Sequence, residues 1–177
     1  PAADRSWPLV PLIIVGDRKI GCHGRFPHGS ELFEQITRRP EYYLTNAEAE
    51  IIRERAGEIA ELAPDPVQVV ELGSGTSEKT VTLLEALLGV NERVVYLPVD
   101  VCGHVLTESA ATLVQLMPEL VVRPIRARYR SGLEHVNGDD GPILLLWLGS
   151  SIGNLDREQA AAFLECVTRR LAAGDRV

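Results

Sequence analysis

The stretch Val67-Gln68-Val69-Val70-Glu71-Leu72-Gly73-Ser74-Gly75-Thr76 decides the fold. It begins as a short, largely β-branched run and breaks at once into two glycines around a serine. β-Branched side chains suit a pleated strand, and glycines admit the tight turn by which a strand hands over to a helix. Val81, Leu84, Leu87 and Leu88 then fall at helical spacing. Strand, glycine turn and helix form the first unit of a βαβ architecture.

Downstream the unit repeats. Asn91-Glu92 turns into a second run, Val94 to Val99, which ends at Asp100. A helix is predicted over 105–117, a third strand over 120–125 and a fourth over 142–148. The last helix is announced by Asp156-Arg157-Glu158-Gln159, a capping box, with Phe163, Leu164, Val167 and Leu171 facing inward. Upstream, Thr45-Asn46-Ala47-Glu48 also fits a capping box with Thr45 as N-cap. Its helix should reach about Leu62, burying Ala49, Ile52, Ala56 and Ile59 before Pro64 and Pro66 close it. Ser30 to Thr37 reads as a short helix, and Pro1 to Gly29 as an irregular leader with one strand in Leu9 to Val15. Short strands alternating with longer helices imply α/β class with a doubly wound parallel sheet. The fourth strand lacks alternation, as a strand covered on both faces should.

Composition narrows the function. The 177 residues are 45% hydrophobic and 24% charged, which suits one packed domain. Eighteen basic against 25 acidic residues leave a formal charge of −7, which argues against a nucleic-acid-coating protein. Cys22, Cys102 and Cys166 are odd in number and widely spaced, so a reducing compartment is favoured over a disulfide framework. No apolar run approaches the ~20 residues that span a bilayer, and no signal-peptide pattern is visible. A soluble, cytoplasmic protein without a membrane partner is expected. Cys22-His23 and His28 lack zinc spacing, so no metal site is expected, and His104 and His135 read as surface residues. Gly149-Ser150-Ser151-Ile152-Gly153 misplaces its serines for a nucleophile elbow.

In a doubly wound sheet, ligands bind at the carboxyl ends of the strands near the switch point. Gly73, Ser74 and Gly75 occupy that position after the first central strand, and Asp100 ends the second. A carboxylate there can accept hydrogen bonds from two ribose hydroxyls, so the pair suggests a nucleoside-bearing cofactor; an ordinary βα loop is the plainer reading of the glycines alone. The dinucleotide fingerprint requires a third glycine where this chain has Glu78, and Glu78 also breaks the P-loop pattern. A nucleoside without phosphates fits better. S-adenosylmethionine is such a molecule, and Lys79 with the next helix N-terminus could meet its carboxylate, although Lys79 also fits a solvated helix lysine.

Four segments carry a more specific signal. Pro40-Glu41-Tyr42-Tyr43-Leu44-Thr45, Val70 to Thr80 (VELGSGTSEKT), Tyr96-Leu97-Pro98-Val99-Asp100-Val101 and Trp147 to Leu155 (WLGSSIGNL) occur in this order. Together they closely resemble the histidine-specific methyltransferase family. That family includes the Nα-trimethylating enzyme of ergothioneine biosynthesis and a fungal N-methyltransferase of ergot-alkaloid biosynthesis. The resemblance, over roughly residues 30–177, implies a Rossmann-like class I methyltransferase fold with S-adenosylmethionine as donor. It implies the α-amino group of an amino acid, histidine or a relative, as acceptor. It assigns the donor to Gly73, Ser74, Gly75, Lys79 and Asp100, with Tyr129 near the adenine, and the amino-acid substrate to Tyr42, Gly149 and Asn154. No residue is assigned an acid–base role, because methyl transfer mainly requires alignment of amine and methyl.

The chain departs from the family at two places. Gly24-Arg25-Phe26-Pro27-His28-Gly29-Ser30 lacks the tyrosine that family members usually carry before the short helix. Ala127-Arg128-Tyr129 stands where many carry a carboxylate near the adenine. These departures support a second hypothesis, a donor-binding or interaction domain that has lost catalysis; a dehydrogenase is a third, opposed by Glu78. Taken alone, Tyr42 and Tyr43 fit aromatics covering a core, and Asn154 fits a turn or cap. Residues 1–40 are therefore read as leader and short helix, and 41–177 as a donor-binding core. Four central strands against the seven that the resemblance implies predict a fold broken off after the fourth strand and its helix.

Overall fold

A computed structural model describes residues 13–14, 43–149 and 151–177, apart from the side chains of 13, 14, 151 and 154. The elements in chain order are β1 (Ile13–Ile14), α1 (Leu44–Leu62), β2 (Val67–Leu72), α2 (Val81–Val90), β3 (Val94–Asp100) and α3 (Gly103–Leu116). They continue with β4 (Val121–Val122), β5 (Ile125–Arg126), α4 (Tyr129–Glu134), β6 (Ile143–Leu146) and α5 (Arg157–Arg170). Short 3₁₀ turns cover Gly138–Asp140 and Ser151–Asn154. The expected helix over 30–37 lies outside the described residues.

The sheet is parallel in every described pairing, with strand order β1-β5-β3-β2-β6 and β4 also against β3. The chain runs outward from β2 through β3 to β5, then returns to β6 on the other side of β2. The switch point therefore lies at the carboxyl end of β2, where the glycine turn begins. Arg176 adds one parallel bridge to Leu144, through hydrogen bonds to Ile143 and Leu145.

Both faces of the sheet are covered, which is why β2 and β6 are buried at every position. On one face Val67, Val69, Val94, Tyr96, Leu144 and Leu146 pack with Ile52, Ala56, Leu84, Leu87 and Leu113 from α1, α2 and α3. On the other, Val70, Leu72, Val95, Val99, Ile143 and Leu145 meet Leu133, Phe163 and Val167 from α4 and α5. Each buried Val, Leu, Ile or Phe among them contributes on the order of 1.5–3 kcal/mol.

Several expectations need correction. The third strand is two short pieces, because the register Val95↔Val121 and Val99↔Ile125 sets Pro124 opposite Pro98. Neither proline has an N–H, so the ladder breaks there. Thr45 does not cap α1: the N-cap is Tyr43, with no side-chain cap bond, and Glu48 turns elsewhere. Ala49 and Ile59 are only partly buried, whereas Ile52 and Ala56 are core. Leu164 faces solvent at 43% exposure. The Asp156–Gln159 capping box is present as predicted, with bonds of 2.8 and 3.1 Å. The leader strand is also present, paired with β5. Helix α4 was not anticipated, since six residues are too few to show a period.

Candidate functional site

The turn after β2 is shaped by three positive φ angles, at Gly73 (74°), Gly75 (52°) and Ser77 (58°). The first two explain the glycines, because other residues enter this region at a cost. Gly73 and Ser74 donate their N–H groups to Val99 O at 2.7 and 3.3 Å, which ties the turn to β3. Gly75 N–H donates instead to Asp100 Oδ2 at 3.1 Å, and Cys102 N–H to Asp100 Oδ1 at 2.8 Å. The two backbone donors hold the Asp100 carboxylate at the end of β3. Each of its oxygens keeps a lone pair for a further donor.

A cleft of about 500 Å³ opens beside this carboxylate. Gly73, Asp100 and Val101 line it from the sheet side, Arg128, Tyr129 and Arg130 from the start of α4, and Leu155, Gln159 and Phe163 from around α5. Its volume lies within the range of small-molecule sites. Tyr129, Trp147 and Phe163 form an aromatic cluster behind it: Trp147 meets Phe163 edge-on at 4.6 Å and Tyr129 at 5.6 Å between centroids. Two polar atoms in this region, Ser74 Oγ and Trp147 Nε1, are buried without a hydrogen-bond partner among the described residues. Buried polar groups without partners are rare in folded proteins, and ligand sites are among the places where they occur.

Under the turn lies a buried hydrogen-bond network. Glu71 accepts from Thr80 Oγ1 at 2.8 Å and from the Tyr96 hydroxyl, and Tyr96 Oη lies 2.9 Å from Ser77 Oγ. Burial pushes the Glu71 carboxyl up to about 7, with the Glu48 charge adding to the rise; the Tyr96 and Thr80 bonds and the Lys79 charge oppose it. Burial, followed by the Glu71 charge, pushes the Tyr96 phenol well above its ordinary value. Sequence reasoning missed this network: the acid and the phenol stand in two separate predicted strands, and only the pairing of β2 with β3 brings them together.

The structure brings together Gly73, Asp100 and Tyr129 in the cleft lining, with Gly75 bonded to Asp100 and Ser74 buried in the turn. Lys79 is not among the lining residues: its Nζ pairs with Glu48 Oε2 at 2.6 Å. The predicted helix N-terminus is also set back, since α2 starts at Val81 behind a buried Thr80 bonded to Glu71. Gly149, at φ 74°, donates its N–H to Glu48 Oε1 at 2.6 Å. Glu48, expected only as part of a capping box, thus connects two of the predicted site residues. Tyr42 lies outside the described residues, and Asn154 is placed only by its backbone, in the 3₁₀ turn after Gly149. Arg128 is exposed at the cleft edge. His104 and His135 are exposed, as expected. Among the described residues there is no cluster of metal-binding side chains, and no helix is long and apolar enough to cross a membrane.

Comparison with known proteins follows the same lines. A family model described as histidine-specific methyltransferase, SAM-dependent, matches residues 27–177. The histidine N-alpha-methyltransferase of Mycobacterium tuberculosis is 40% identical over 147 residues, covering 83% of this chain and 45% of that protein. Ergothioneine biosynthesis protein 1 of Neurospora crassa is 34% identical, over 84% of this chain and 17% of that protein. The 4-dimethylallyltryptophan N-methyltransferase of Claviceps purpurea is 32% identical, over 82% and 44%. The chain thus spans less than half the length of these relatives. A solved structure from Methanococcus maripaludis, provisionally described as an S-adenosyl-L-methionine-dependent methyltransferase, shares the fold. Its TM-score is 0.51 at 16% identity, over 90% of this chain and 63% of that one.

Proposed function

Since the chain belongs to the histidine-specific, SAM-dependent methyltransferase family, we propose that its protein methylates the α-amino group of an amino acid, histidine or a close relative. The observation that carries this reading is the Asp100 carboxylate, held by two backbone N–H groups at the edge of a cleft with an aromatic wall. The residues present fit a nucleoside bearing an amino-acid tail. Asp100 has lone pairs for two ribose hydroxyls, and Tyr129 and Phe163, their rings tilted 55° to each other, give the cleft an aromatic lining. The exposed Glu78 would repel a pyrophosphate.

When bound, S-adenosylmethionine supplies an electrophilic methyl on a sulfonium. The protein then has to hold donor and acceptor amine in line and exclude water. In this reading Gly73, Ser74, Gly75, Asp100 and Tyr129 hold the donor. Lys79 supports the turn from outside the cleft, through Glu48. Tyr42, Gly149 and Asn154 serve the acceptor, with Gly149 a few residues past the end of β6. The proposed class of acceptor is supported by the names of two relatives, a histidine N-alpha-methyltransferase and a 4-dimethylallyltryptophan N-methyltransferase.

Calorimetry with S-adenosylhomocysteine and NAD, followed by methyl transfer to a panel of amino acids with histidine first, tests the proposal. Binding of S-adenosylhomocysteine and methylation of an α-amine are expected. Binding of NAD alone would overturn it.

A further inference from the structure

We propose that Glu48 is a positioning residue that couples the glycine turn to the turn after β6, so that a ligand held by one orders the other. The inference rests on the reading that these turns serve donor and acceptor. One carboxylate joins three segments distant in sequence. Oε2 accepts from Lys79 Nζ and Oε1 from the Gly149 N–H, both at 2.6 Å. Side-chain exposures of 23% for Glu48 and 29% for Lys79 keep the pair largely out of solvent, where charge-assisted bonds are stronger than at an open surface.

The placement of Glu48 supports a role beyond helix stability. The sequence offers it as a capping glutamate for Thr45, yet α1 begins ahead of Thr45, at Leu44 with Tyr43 as N-cap, and no side chain caps it. Gly149 has a φ of 74°, so its N–H bond to Glu48 sets the direction in which the chain leaves β6 toward the Ser151–Asn154 turn. Lys79 lies between the glycine turn and α2, and Thr80 beside it bonds Glu71 at the end of β2. Ordering either turn therefore reduces the freedom the other has left to lose, which is the physical content of coupling between sites.

The test is an NMR titration of the full chain and of its E48Q and E48A variants with S-adenosylhomocysteine, following the Gly75 and Gly149 amides. In the parent chain both amides should respond. In E48A Gly75 should still respond while Gly149 no longer does, and affinity should fall about tenfold, within the usual span of site coupling. E48Q keeps an acceptor for the Gly149 N–H but loses the ion pair; it should keep the unligated Gly149 shift and weaken the ligand response. A parent chain in which Gly75 responds and Gly149 does not would overturn the coupling alone. A Gly149 response undiminished in both variants would also overturn it. Absence of any response at Gly75 in the parent chain would overturn the donor assignment, and the coupling with it.

Discussion

Glu71 and Tyr96 meet inside the sheet on adjacent strands, where the phenol hydroxyl donates to the carboxylate and both side chains are shut off from solvent. Their site is the floor of the glycine turn, since Ser77 and Thr80 complete the network from above.

This floor makes stability depend on pH with a defined sign. Burial raises the Glu71 carboxyl from 4.5 to about 7, so the folded protein keeps a proton that the unfolded chain releases. The stabilising contribution is complete below about pH 4.5, declines across the window and is lost as pH rises through about 7. At ~1.4 kcal/mol per unit the whole change is about 3 kcal/mol. Urea unfolding of the parent and Glu71→Gln between pH 5 and 8 should show the parent losing ground to the variant as pH rises. A pH-independent difference would show that Glu71 is not a proton-holding acid.

Asp100→Ala should weaken S-adenosylhomocysteine binding by about 1.5–3 kcal/mol, the range for hydrogen bonds to a charged group. The same change removes the partner of the Gly75 and Cys102 N–H groups, so the turn itself should lose order. Calorimetry on the Ala and Asn variants measures the effect; equal affinity in the parent and Asp100→Ala would refute the assigned role.

Gly132 packs directly on β3. A methyl group added there would collide with Val99 Cγ1. Gly132→Ala should cost about 1–3 kcal/mol in thermal or urea unfolding, as overpacked cores do. Truncating the obstacle in the Val99→Ala/Gly132→Ala double variant should recover part of it, so the two changes should be non-additive.

Asn154→Ala should raise the acceptor KM with little change in S-adenosylhomocysteine affinity, because the resemblance assigns it to substrate and not to donor. Steady-state kinetics against histidine, paired with donor calorimetry, separates the two. A loss confined to donor binding would move Asn154 to the other side of the reaction.

Much of the architecture was legible because its signals are local. The β-branched run before Gly73, the capping box at Asp156 and the unalternating run Ile143 to Leu146 each report on a few adjacent residues, and the described structure contains all three elements. The failures have local explanations too. Pro124 looked harmless in a third strand until register set it opposite Pro98. Thr45-Asn46-Ala47-Glu48 reads as a capping box only while Glu48 has no better partners, and folding supplies two.

The amino-acid sequence by itself determined the α/β class, the position of the glycine turn and the carboxylate at Asp100, because strand propensity, periodicity and glycine's conformational freedom act within a few residues. Only the tertiary structure decided which groups share a charge. It set Lys79 and Gly149 on the carboxylate of Glu48, and it buried Glu71 beside Tyr96, raising its proton affinity. Electrostatics and desolvation depend on distances between segments far apart along the chain, and those distances exist only once the sheet has formed.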